Sequence, residues 1–148
     1  GLVPAFFFFR PMKRLLLLLA LCAAGGALAQ LPSVHLSAGM HLIRAEVADT
    51  MGARMEGLMH RKAMPEGAGM VFVFDELAPH CMWMKNTLIP LDMLFFNAKL
   101  RIHHIHRDAT PYSEAIISSN GPVIGVIELN GGAAQQFGIL PGDNIILP

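Results

Sequence analysis

The sequence predicts an α+β fold, mainly β, in which a curved antiparallel or barrel-like sheet carries two short helices. Three observations predict it. Short runs of alternating or wholly apolar, β-prone residues recur along the chain, only two segments repeat apolar residues at helical spacing, and turn-forming residues separate them at close intervals.

Residues 1–29 stand apart from that fold. Lys13-Arg14 is a basic start, Leu15 to Leu21 an apolar run and Ala27-Leu28-Ala29 a small-residue cleavage site, the anatomy of a secretory signal peptide. Leu15 to Cys22 falls short of the roughly 20 apolar residues that a membrane span needs, so a cleaved leader is expected rather than a stable membrane span. Lipidation of Cys22 is disfavoured by Leu21, where a modification box wants a small side chain. The stretch before Met12, "GLVPAFFFFRP", reads as an upstream extension, with Met12 the expected start. Cleavage after Ala29 leaves residues 30–148 as a single globular domain, periplasmic or secreted and large enough to bury a core without disulfide staples.

Charge narrows the partners. Arg10, Lys13 and Arg14 leave with the leader, so eight Lys and Arg face eleven Asp and Glu, a formal charge of −3. No basic surface for nucleic acid is expected. Cys81, the one cysteine beyond the leader, has no internal disulfide partner, and burial is its expected state.

"IRAEVADT", Ile43 to Thr50, has strand alternation and ends at a helix signal. Asp49 or Thr50 can cap a helix over about Thr50 to Arg61, whose stripe is Met51, Met55, Leu58 and Met59. "MVFVF", Met70 to Phe74, is apolar on both faces, as a central strand covered on each side must be. Asp75 to Pro79 is expected to turn the chain, so that "HCMWM" opens the next strand with Cys81 facing the core. "LDMLFF", Leu91 to Phe96, is a further strand, joined through "NAK" to "LRIHHIH", and Val123 to Leu129 another. Asn130 can cap a second helix over about Gly131 to Phe137, closed by Gly138, before a final strand Asn144 to Leu147.

The ordered run of "ADT" at Ala48, Arg54, "GLMHR" at Gly57, "GMVFVF" at Gly69, "WMKNT" at Trp83, "PLD" at Pro90 and "PGD" after Gly138 resembles the family called domain of unknown function 192, over roughly Ile43 to Leu147. The resemblance implies a mostly β domain with two short helices, often exported. It implies no reaction and no cofactor.

Function is read from the residues. "WMKNTLIPLD" gathers an aromatic, a cation, an amide, a hydroxyl and a carboxylate, the inventory of a polar ligand pocket. Arg54, Trp83, Lys85, Asn86, Thr87 and Asp92 are therefore the candidate ligand-binding residues, with Arg54 and Asp92 expected as a supporting ion pair. The expected partner is a small molecule or a periplasmic protein. A hydrolase using Asp92 and its neighbours is the alternative, but no catalytic set assembles from spacing, and Ser118-Ser119 lacks a nucleophile motif. Cu(I) handling through His80, Met82, Met84 and other Met and His side chains is a third reading. Core packing explains the methionines more simply, and neither a metal nor a cofactor is assigned.

Overall fold

Alternation decides the first hairpin. In the computed structural model, which describes residues 1–4 and 30–148, β1 (Ser33–Ala38) and β2 (His41–Ala48) pair antiparallel across a two-residue turn, with Gly39 at φ +57°. The expected signal segment, Lys13 to Ala29 with Cys22, lies outside the described residues. β1 has no counterpart among the expected strands, because "SVHLSA" offers only Leu36 and Ala38 as buried alternating positions.

Thr50 caps the helix that follows, its Oγ1 accepting from Ala53 N at 3.2 Å. That helix, α1 (Met51–Glu56), is half the expected length, since Gly57 at φ +52° ends it in a conformation that a side chain resists. Its stripe differs too. Leu58 is buried and Met59 half-buried, whereas Met51 and Met55 are exposed.

The chain then enters β3 (Ala68–Met82), parallel to β2 and antiparallel to everything else it meets. Met70, Phe72 and Phe74 face one core cluster and Val71 the other, as expected of a strand covered on both sides. The expected turn at Asp75 to Pro79 does not occur. β3 runs through this stretch with register shifts between Val73 and Ala78 and again between Pro79 and Cys81, so the polar residues mark a bulged, exposed length of one strand. "HCMWM" is thus the end of β3 and the residues after it, and its facing is the reverse of that expected: Met82 and Met84 are fully buried, Cys81 and Trp83 half-buried.

β4 (Leu91–Phe96), β5 (Ile102–Ala109) and β6 (Ile117–Asn130) complete the wide part of the sheet, and β7 (Ile145–Ile146) its far edge. The order is β5-β4-β6-β3-β2-β1-β7. The two edges meet: Arg101, before β5, bridges Asn144, before β7, with Ile102 N donating to Asp143 O and Ile145 N to Leu100 O. The sheet therefore curls into a half-barrel, as the sequence predicts. Its inner core holds Leu36, Ile43, Val71, Leu94 and Ile127, and α2 (Ala133–Gln136) packs there through Ala133 and Ala134. Asn130 does not cap α2. Gly132 occupies that position in a left-handed conformation, and the Asn130 amide donates to Met64 O instead. The second cluster, on the outer face of β3, β6 and β4, is covered by Leu58, Met64 and Met84. Among the described residues no helix is long and apolar enough to cross a membrane.

Candidate functional site

β2 leaves β3 early. Their pairing ends at Ala48 and Phe72, where the chain turns away into α1, so the β2-side edge of β3 has no strand of the sheet beside it at Cys81 and Trp83. Between this free edge and α1 lies a groove of about 660 Å³, walled by Met51, Arg54 and Met55 on one side and by Phe74, Pro79 and Cys81 on the other. Methionine side chains are flexible and polarizable, suited to an apolar surface that adapts to what it binds.

Leu2, Val3 and Pro4 form a further wall of this groove, at the start of a segment that pairs with the edge of β3. Leu2 bridges Met82 in antiparallel sense. Gly1 and Trp83 exchange both backbone hydrogen bonds, amine to Trp83 O at 3.1 Å and Trp83 N to Gly1 O at 3.2 Å, while Val3 N donates to Cys81 O at 3.2 Å. On the helix side Leu2 N donates to Arg54 O at 2.9 Å. The fit at position 1 excludes side chains, because a Cβ there would stand 2.3 Å from Met55 O. Gly57 is less tightly constrained, its own Cβ position lying 3.1 Å from both the Gly1 Cα and the Phe72 ring.

The core also holds a charge that its apolar surroundings do not explain. Glu128, on β6 between Met70 of β3 and Met93 of β4, is fully buried, and neither carboxylate oxygen has a hydrogen-bond partner among the described residues. The Trp83 indole N–H is likewise buried without a partner. Burial pushes the Glu128 carboxyl up from its ordinary range, and the positive charge of the Gly1 amine opposes that rise. Burial in turn lowers the Gly1 amine, with Glu128 opposing. An ionised carboxylate buried without a partner costs about several kcal/mol, a cost that holding the proton relieves.

The structure brings some of the expected site residues here and takes others away. Arg54 is buried in the groove wall but does not pair with Asp92. Its guanidinium donates to Asp75 Oδ2 at 2.7 Å and to the carbonyls of Asp49 and Val73, tying α1 to β3. Trp83 follows the last residue of β3, with the Lys85 ammonium 5.1 Å from its ring centroid. Asn86, at φ +51°, and Thr87, whose Oγ1 donates to Lys85 O, shape the turn beyond it, and Asn86 O accepts from His60 N. Asp92 points to the opposite face of the sheet. Its two oxygens accept from Asp108 N and Ala134 N, both at 2.9 Å, so it anchors the β5 end and the start of α2. Glu128 was the residue to find: "VIELN" places a lone carboxylate at a core-facing position of an apolar strand, a visible signal of a buried charge.

The other donors diverge. Met82 and Met84 are enclosed in the core, His80 stacks on Phe74 with centroids 3.8 Å apart, and His104 stacks on Phe95 at 6.0 Å. Among the described residues no three His, Cys, Asp or Glu side chains cluster at metal-binding distance. Ser119 is buried, its hydroxyl accepting from His80 N and donating to Gly121 O, which holds the bulge opposite β3.

Residues 34–147 match the family model named domain of unknown function 192, described as an uncharacterized ACR. Two solved structures share the fold. One, from Sinorhizobium meliloti 1021 and described as a candidate transcription regulator, is 40% identical with a TM-score of 0.78, the match covering 80% of this chain and 96% of that one. The other, from Novosphingobium aromaticivorans DSM 12444 and described as a protein of unknown function, is 34% identical with a TM-score of 0.77, over 85% and 93% of the respective chains. No curated protein matches the sequence.

Proposed function

The chain belongs to the domain of unknown function 192 family, and from that premise we propose that it is an exported binding module whose ligand site is the groove between α1 and the end of β3. The observation that carries this reading is Glu128: a fully buried carboxylate with no hydrogen-bond partner among the described residues is completed by a ligand that brings a positive charge or strong donors. Trp83 adds an aromatic face and an indole N–H that has no partner among the described residues. Lys85, Asn86 and Thr87 follow Trp83 in the turn beyond β3, and Arg54 lines the groove on the α1 side.

The hydrolase reading loses its main residue, since both Asp92 oxygens are engaged by backbone amides on the other face of the sheet. Copper handling loses Met82 and Met84 to the core. The test is a thermal-shift panel of small amines, carboxylates and neutral amides on residues 30–148. Amines are expected to raise the Tm of the wild type and to lose that effect in Glu128→Gln. Equal shifts in both proteins, or shifts from carboxylates alone, contradict the reading. Export rests on the leader, and intact-mass analysis of secreted protein is expected to show Gln30 as the first residue; a retained leader contradicts it.

A further inference from the structure

Where β2 has left it, the end of β3 pairs with a strand that does not belong to the sheet. Leu2 bridges Met82 in antiparallel sense, Trp83 N donates to Gly1 O at 3.2 Å and Val3 N donates to Cys81 O at 3.2 Å. Leu2 N points the other way and donates to Arg54 O of α1 at 2.9 Å. The segment is thus gripped from two sides, by the strand edge and by the helix, through peptide groups that every sequence carries. Side chains supply the selection. Leu2 is half-buried and packs against the outer core cluster, Val3 is half-buried along the groove, and the exposed Pro4, which has no N–H, takes the chain out of the ladder.

We infer that the edge from Cys81 to Trp83 is a strand-addition site for an extended aliphatic segment of a second polypeptide, which pairs antiparallel with β3 through its main chain and sets a leucine-sized side chain on the outer core cluster. The inference rests on the binding-module reading and names its ligand class. In an exported chain that begins at Gln30, Trp83 N, Cys81 O and Arg54 O lose the bonds that Gly1 to Val3 make, and the groove loses the wall formed by Leu2, Val3 and Pro4. Unpaired peptide groups beside apolar surface at a sheet edge are a template for another chain. The protein's own residues 30–32 do not fill the place, because Pro32 O accepts from Val47 N and holds them beside β2. The bonds involved are those of internal peptide groups, so the guest needs no chain end, and its side-chain requirement is one aliphatic residue opposite Met82.

Residues 30–148 suffice for the experiment, since they contain every strand and both helices and the matched family domain, residues 34–147, lies wholly within them. Trp83, the only tryptophan, stands on the edge itself and reports by fluorescence. The probe is N-acetyl-Leu-Val-Pro-amide, blocked at both ends, whose acetyl carbonyl takes the place of Gly1 O. It is titrated beside two relatives, one N-methylated at the valine nitrogen and one with aspartate in place of leucine. Saturable binding of the parent probe is expected, weakened about tenfold or more by the methyl group, which removes the bond to Cys81 O, and by the aspartate, which carries a charge onto apolar surface. The chain 1–148, its edge already paired, is expected to bind the probe at least about tenfold more weakly. Equal binding of the parent and N-methylated probes overturns strand addition and leaves the binding-module reading in place. Absence of probe binding alongside amine-dependent thermal shifts does the same, and absence of both overturns the two together.

Discussion

Asp92 and Cys81 show how a residue's neighbours in space overrule its neighbours in sequence. Asp92 sits in "PLD" beside the polar turn, yet strand alternation sends it to the opposite face, where it accepts from two backbone amides. Asp92→Ala is therefore expected to lower stability by about 2–4 kcal/mol, two charge-assisted hydrogen bonds in a buried setting, and to leave ligand binding by the folded fraction unchanged. Chemical denaturation with a parallel binding titration checks both halves. Cys81 is half-buried on the groove side and not in the core. Cys81→Ser is accordingly expected to change stability by less than about 0.5 kcal/mol, where a core thiol replaced by a hydroxyl would cost more. A loss of several degrees in Tm would return Cys81 to the core.

α1 and its end decide the site at the scale of elements. Arg54 spans from the helix to the Asp49 and Val73 carbonyls and to Asp75, so the wall of the groove is set by one guanidinium fork. Lysine cannot reproduce a fork, and Arg54→Lys is expected to destabilise the fold by about 1–3 kcal/mol despite keeping the charge, read as a shift of the urea midpoint. Gly57 ends the helix at φ +52° with the Phe72 ring 3.1 Å from its Cβ position. Gly57→Ala combines backbone strain with a contact that the buried Phe72 must yield to, and a loss of about 1–3 kcal/mol is expected in the same measurement. A midpoint equal to the wild type's would show that the chain relaxes at this point and that the spacing between α1 and β3 is not rigid.

For the whole molecule, pH is the global probe of the buried charge. Glu128 has a native pKa raised by burial above its ordinary value of 4.5, so the folded state holds this proton more tightly than the unfolded chain. Its contribution is then most favourable below 4.5 and declines as pH rises from there toward the native value, by up to about 1.4 kcal/mol per pH unit. Glu128→Gln is expected to remove that decline, so the difference in unfolding free energy between variant and wild type should grow with pH above 4.5 and stay flat below it. A constant difference across the range would mean that Glu128 titrates alike in both states. Much of this architecture was legible beforehand, because the central strand Met70 to Phe74, the strand Leu91 to Phe96 and the curled β-rich sheet follow from side-chain period and β-propensity, which act over a few residues. The path of β3 through Asp75 to Pro79 was not, since polar residues mark a turn and a bulged exposed strand alike, and only pairing with β6 chooses between them. The sequence by itself determined that this is a mainly β domain with two short helices, and its ordered motifs pointed to its family. Tertiary structure alone decided that Asp92 serves the fold, that Met51 and Met55 line a groove, and that Glu128 is buried with no partner among the described residues, because facing, pairing partners and burial are properties of strands brought together from distant parts of the chain.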